Sequence, residues 1–144
     1  MKIYVASSWK KNARQPEVVA ALRAAGHEVY DFKNPVPGDH GFSWKQVRPD
    51  PHPWTAKETI AVLDHSVACR GFALDYNAMN WADAIVMVQP CGVSAALELG
   101  WAAGADKRTA VLMADHQEPE LMLKMADFLT DDLAAIVEWA GRDD

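Results

Sequence analysis

Pro90-Cys91-Gly92-Val93-Ser94-Ala95-Ala96-Leu97-Glu98-Leu99-Gly100-Trp101-Ala102-Ala103-Gly104 follows the apolar run Ala84-Ile85-Val86-Met87-Val88, and together these two stretches decide the fold. An unbroken apolar run of this length reads as a parallel strand buried on both faces. The Pro-Cys-Gly breaker ends the strand, Ser94 is placed to cap the following helix, and Gly104 stands where that helix would stop in a left-handed residue. Glu98 is the only charged residue in the predicted helix. A helix apolar all round is expected to be buried, and an ionised carboxylate there is costly unless it is hydrogen-bonded, paired or open to a cleft. Glu98 is therefore the first candidate for chemistry. At about 100° per residue, Ser94, Glu98 and Trp101 share one stripe, while Ala95, Leu99 and Ala102 form a neighbouring one that can face the sheet.

The 144 residues predict a single domain, 1–144, large enough for a core without staples. A net charge of −6 argues against a nucleic-acid polymer or an anionic membrane as the main partner, while single nucleotides remain compatible. Met1 to Ala6 shows no signal arrangement, and no apolar stretch approaches a membrane span, so a cytoplasmic protein is expected. Cys69 and Cys91 are too scattered for a disulfide framework, and the histidines show no ligand spacing. Neither a metal nor a cofactor is expected.

Residues 2–6 read as a first strand and 16–25 as an amphipathic helix with Val18, Val19 and Leu22 inward and Gly26 as its stop. The loop between them, Ser7-Ser8-Trp9-Lys10-Lys11-Asn12, can hold an anion at the helix start, although it lacks the glycines of a dinucleotide fingerprint. Residues 27–32 read as a second strand. A long irregular stretch to Trp54 then carries five prolines with Phe42, Trp44 and Trp54, which suit a packed lid able to stack a nucleobase or, alternatively, to seal the core beneath it. Thr55-Ala56-Lys57-Glu58 is a capping box opening a helix to about Asp64. Residues 66–82 are helical, with Asp75 on what reads as a solvated face and Asp83 as a turn residue. A fourth strand follows at 107–113, a short helix at 120–125, a short edge strand at 128–129 and a last helix, capped by residues 130–132, to about Ala140.

This alternation predicts an α/β fold: one doubly wound, flavodoxin-like or Rossmann-like three-layer domain with a parallel sheet of four or five strands in the order 2-1-3-4-5. Ligands bind such sheets at the carboxyl ends of the strands beside the switch point, where Ser7 to Trp9 and Gly92 to Glu98 meet.

The segments Ile3-Tyr4-Val5-Ala6-Ser7-Ser8-Trp9, Asp75 eight residues ahead of Asp83-Ala84-Ile85, and Glu98-Leu99-Gly100-Trp101-Ala102 resemble, in order and spacing over residues 2–113, the nucleoside 2-deoxyribosyltransferase superfamily. That family joins deoxyribosyltransferases to deoxynucleotide N-glycoside hydrolases. The resemblance implies that Glu98 is a nucleophile forming a covalent glycosyl intermediate, that Tyr4 orients it, and that Asp75 handles the proton at the nucleobase. Such a set suits the chemistry, because an oxocarbenium-like state needs a carboxylate under the sugar and a proton donor at the departing base. Ser7, Ser8, Trp9, Lys10, Trp44, Cys91, Gly92 and Ser94 are the candidate contacts to a nucleoside or nucleotide. Transferases of the family carry an Asp where this chain has Gly92. Hydrolases have a serine-bearing turn that holds a 5′-phosphate, a task open here to the Cys91-Gly92-Val93-Ser94 turn. The resemblance also implies a homodimer or higher homo-oligomer, with the segment Met122 to Asp127 donated to a neighbouring subunit. Two other readings are a nucleotide-sensing domain without turnover and a hydrolase of an NAD-type ribosyl cofactor.

Overall fold

Five parallel strands, β1 (Lys2–Ala6), β2 (Glu28–Asp31), β3 (Ala84–Val88), β4 (Arg108–Leu112) and β5 (Phe128–Thr130), lie side by side in the order β2-β1-β3-β4-β5. The structure, a computed structural model, describes residues 1–9, 14–50 and 52–142. All five residues of β3 are buried, as an apolar run in the middle of a sheet covered on both faces requires. The helices are α1 (Arg14–Ala24), α2 (Ala56–Val62), α3 (Ser66–Trp81), α4 (Val93–Gly104) and α5 (Leu133–Ala140), with short 3-10 turns at Trp44–Gln46 and Leu121–Met125. The predicted class and strand order match this architecture.

Alternation along the strands sorts the core into two layers. Ile3, Val5, Ala84, Val86, Val88, Ala110 and Leu112 face one side, where α1 contributes Val18, Val19 and Leu22 and α5 contributes Ile136 and Trp139. Tyr4, Ala6, Ile85, Met87 and Val111 face the other, against Ala78 and Met79 of α3 and Ala95, Leu99 and Ala102 of α4. The small alanines let these two helices approach the sheet closely. Lys107 ties them together at one end, donating to the backbone carbonyls of Asn80 and Ala82 and lying over the Trp101 ring.

Several local expectations change. The N-cap of α4 is Gly92, not Ser94. Its extended backbone (φ −103°, ψ −171°) lets its carbonyl accept from the Ala96 amide, so the helix begins before Ser94, which is exposed on the first turn. Gly104 is the last helical residue, and Asp106 takes the left-handed conformation (φ 54°) instead. Nor is α4 buried all round: Ala95, Leu99 and Ala102 face the sheet, whereas Val93 and Leu97 are 77% and 69% exposed. One helical stripe suffices to cover a sheet, so the remaining apolar residues lie at the surface. The short helix expected at 120–125 is a 3-10 turn over Leu121–Met125. Gly26 (φ 90°) ends α1 as expected, and the capping box is formed, with the Glu58 amide donating to Thr55 Oγ1 at 3.2 Å and the Thr55 amide donating to Glu58 Oε2 at 2.7 Å.

Candidate active site

Tyr4 and Tyr30 are register partners in neighbouring strands, and their rings stack at 5.3 Å with 15° between the planes. Each hydroxyl leaves this stack toward a different carboxylate. Tyr4 Oη donates to Glu98 Oε1 on α4 at 3.1 Å, and Tyr30 Oη donates to Asp75 Oδ1 on α3 at 2.9 Å. Two helices that cover one face of the sheet thus deliver their carboxylates to two adjacent phenols. Among the described residues, no hydrogen bond reaches Glu98 Oε2 or Asp75 Oδ2.

Burial raises both carboxyl groups. Glu98 is pushed up to about 8 by desolvation, with the Asp75 charge adding to the rise and the Tyr4 hydrogen bond opposing it. Asp75 is pushed up to about 6 by desolvation against the bond from Tyr30. The two tyrosines are held above the ordinary phenol range, first by burial and then by the carboxylate charges facing them. With Glu98 near 8 and Asp75 near 6, the two carboxyls together hold about one proton near neutrality. Asp75 is therefore not the solvated helix residue its surroundings in the sequence suggest: it is half-buried and bonded across 45 positions of chain.

The β1 and β3 ends meet as the switch-point rule expects. Ser7 Oγ donates to the Val88 carbonyl at 2.9 Å, joining the loop after β1 to the turn before α4. Ser8 is half-buried beside it and Trp9 is 44% exposed, its ring edge-on to Phe32 at 5.3 Å. Lys10, with Lys11 and Asn12, lies outside the described residues. Cys91 is half-buried against the core beneath α4, and its thiol is raised by burial and then by the Glu98 charge. Gly92 and Ser94 are exposed at the start of α4.

The long loop is packed. Phe42, Trp44 and Trp54 form an aromatic cluster with centroid distances of 4.7 and 5.7 Å, and the Arg48 guanidinium lies 3.5 Å from the Trp54 ring centroid. Phe42 rests on Gly71, one turn ahead of Asp75 on α3, where a Cβ would come within 3.0 Å of the phenyl group. Trp44 sits behind Phe42, so its ring contacts are within the lid and not with the carboxylates. Gly41 (φ 82°) seats Trp9: a Cβ there would stand 2.4 Å from the indole and 2.5 Å from the Phe32 carbonyl. On the other side of Gly41 lies a cavity of about 420 Å³ lined by Val36 to Gly41, Gln46 and Arg70, none of which the sequence motifs single out. Neither Glu98 nor Asp75 lines this cavity.

Tyr30 is the site residue the sequence did not disclose. A tyrosine in a strand is ordinary, and only the pairing of β2 with β1 shows that it repeats the Tyr4 arrangement. The described residues contain no group of three or more His, Cys, Asp or Glu placed to hold a metal ion. No described helix is long and apolar enough to cross a membrane.

No family model and no curated protein matches the chain. A 2-deoxyribosyltransferase from the psychrotolerant bacterium Bacillus psychrosaccharolyticus is similar in structure over 99% of this chain and 93% of that chain, with a TM-score of 0.61 and 19% sequence identity. The two chains share one fold. A CMP N-glycosidase from Clostridium botulinum is similar over 99% of this chain and all of that one, with a TM-score of 0.54 and 13% identity. Both neighbours agree, at the level of fold, with the resemblance drawn from the motifs.

Proposed function

We propose that the protein breaks the N-glycosidic bond of a nucleoside or nucleotide, with Glu98 as nucleophile, Asp75 as proton donor and Tyr4 as the group that orients Glu98. The observation that carries this reading is the pair of half-buried carboxylates, one on each of two helices, each tied through one oxygen to a sheet tyrosine. Glu98 Oε2 attacks the anomeric carbon as the bond to the base breaks. The electron pair of that bond goes to the base, which takes the Asp75 proton, and a glycosyl ester of Glu98 remains. Water or a second base then attacks the ester, Asp75 accepts its proton, and Glu98 leaves as a carboxylate.

The protonation order explains what the substrate must do. Of the two groups Glu98 has the higher value, so before substrate binds the proton of the pair rests mainly there. Positive charge developing at the anomeric carbon favours ionised Glu98, and a base accepting from Asp75 favours protonated Asp75. Substrate therefore exchanges one tautomer of the pair for the other without changing its net charge. Activity needs one proton on the pair, giving a bell-shaped pH profile with limbs near about 6 and about 8.

Trp9 and the lid line the base side in this reading, and Ser7, Ser8 and the Cys91 to Ser94 turn lie toward the sugar and any 5′-phosphate. Trp44 supports the lid. The homo-oligomer belongs to the same proposal, and the exposed Leu97, Leu121 and Met122, which are 69%, 76% and 63% accessible, support it; sedimentation at equilibrium tests it, a monomer at all concentrations counting against it. For the activity, wild type and Glu98→Ala are incubated with a panel of deoxynucleosides and deoxynucleoside monophosphates. Free base from wild type alone supports the reading. Base from both proteins, or from neither across the panel, overturns it, and tight binding without release marks a nucleotide-binding domain instead.

A further inference from the structure

We propose that Tyr30 is a positioning residue that acts through Asp75, fixing which carboxylate oxygen carries the proton and stabilising the carboxylate left once that proton has gone to the base. The inference rests on the function proposed above, but its geometry is independent of the sequence motifs. Tyr30 Oη occupies Asp75 Oδ1 at 2.9 Å, so the free oxygen, Oδ2, is the one that bears the transferable proton. Tyr4 Oη likewise occupies Glu98 Oε1 at 3.1 Å and leaves Oε2 to attack. Because the two rings are nearly parallel and come from paired residues, their hydroxyls leave the sheet about one strand spacing apart, roughly 4.8 Å. The sheet thereby sets the distance between acid and nucleophile, which two separate helices would otherwise leave to their own packing.

The two bonds respond oppositely as reaction proceeds. When the base departs, Asp75 passes from a neutral acid to an anion, and a hydrogen bond to an anion is stronger than one to a neutral carboxyl. The Tyr30 bond is therefore tighter after proton transfer than before it, which is the condition for lowering the barrier to base release. The Tyr4 bond loses strength in that step, since Glu98 becomes an ester, and regains it when Glu98 departs as a carboxylate. Tyr30 thus favours the first half of the reaction and Tyr4 the second. The competing account, that Tyr30 merely fills space beside Tyr4, gives the ring a role and the hydroxyl none.

Tyr30→Phe keeps the ring and removes only the hydroxyl. It is compared with wild type, Asp75→Asn and Glu98→Ala on an ordinary deoxynucleoside and on a 7-methylated purine deoxynucleoside, whose base departs without needing a proton. Tyr30→Phe is expected to lose about 10-fold or more on the ordinary substrate and little on the methylated one, following Asp75→Asn in kind. Equal losses on both substrates, or none on either, overturn the proposal while leaving the function intact. Activity of Glu98→Ala overturns the function itself. A carbon-13 NMR titration of the labelled side-chain carboxyls needs no turnover. Removing a donor to the ionised form raises the acid, so Tyr30→Phe is expected to move the Asp75 titration upward by about one pH unit, and an unmoved titration refutes the role even if no substrate is found.

Discussion

The two faces of the sheet are built from alternate residues of the same strands, yet they differ in kind. On the α1 and α5 side, Ile3, Val5, Val86 and Leu112 meet Leu22 and Ile136, all at 0% exposure, with Trp139 stacked on Phe128 at the rim. On the α3 and α4 side, Tyr4 takes the place of an aliphatic residue, the helices present mainly alanine, and each helix carries one half-buried carboxylate that burial raises. The exposed apolar side chains also gather here: Phe72 and Tyr76 stack at 5.4 Å, Tyr76 meets Trp101 at 5.7 Å, and Leu97 stands clear of the sheet. The first face is closed and aliphatic, while the second carries half-buried ionisable groups that cost stability when charged.

The strongest challenge to this contrast is substitution on each side. Glu98→Gln is expected to reduce base release on the order of 10³-fold or more, since it removes the proposed nucleophile. The same change leaves the fold about as stable near neutrality, where Glu98 is mainly protonated and the amide oxygen can still accept from Tyr4, and more stable at high pH, where wild type must bury a charge; a Tm well below wild type would contradict this. Ile136→Ala does the reverse. It removes a fully buried side chain from the closed face and is expected to cost about 2–5 kcal/mol in denaturant unfolding, while the folded fraction keeps its turnover.

Acidity sharpens the comparison further. A carboxyl whose folded-state value lies above its unfolded one favours the fold fully below the unfolded value, and that contribution is lost as pH rises through the folded one. Glu98 rises from 4.5 to about 8 and Asp75 from 3.8 to about 6. Tm is therefore expected to fall as pH is raised from about 4 to about 8, and Glu98→Gln flattens most of that slope. A slope unchanged in the variant would remove Glu98 as its source. A smaller effect on activity is expected at the lid: Gly41→Ala needs a left-handed Ala and drives its Cβ into the Trp9 indole and the Phe32 carbonyl, costing at least about 1–2 kcal/mol of stability and raising KM more than it lowers kcat.

The layered architecture was legible because its signals are local. The apolar run at 84–88, the breaker at 90–92 and the alternation of strands with helices suffice for a doubly wound parallel sheet, whose order comes from the common flavodoxin-like pattern, and the capping box at Thr55 and Glu58 sets the start of α2. Glu98 stood out as one charge among apolar neighbours, and the motifs added Tyr4 and Asp75. Tyr30 was hidden because its meaning depends on strand register, and register is a property of two distant segments at once. The same limit explains Trp44, whose aromatic character suited a base platform but whose ring is taken up by Phe42 and Trp54. Ser94 was misplaced as a cap because Gly92 takes the extended backbone that starts the helix earlier.

The most direct measurement is the mass of the intact protein, acid-quenched within the first turnover on a cleavable deoxynucleoside, followed by peptide mapping. A gain of one pentosyl group located on Glu98 and absent from Glu98→Gln is the expected result. Base release with no covalent adduct, or an adduct on another residue, would contradict the central claim that Glu98 is the nucleophile.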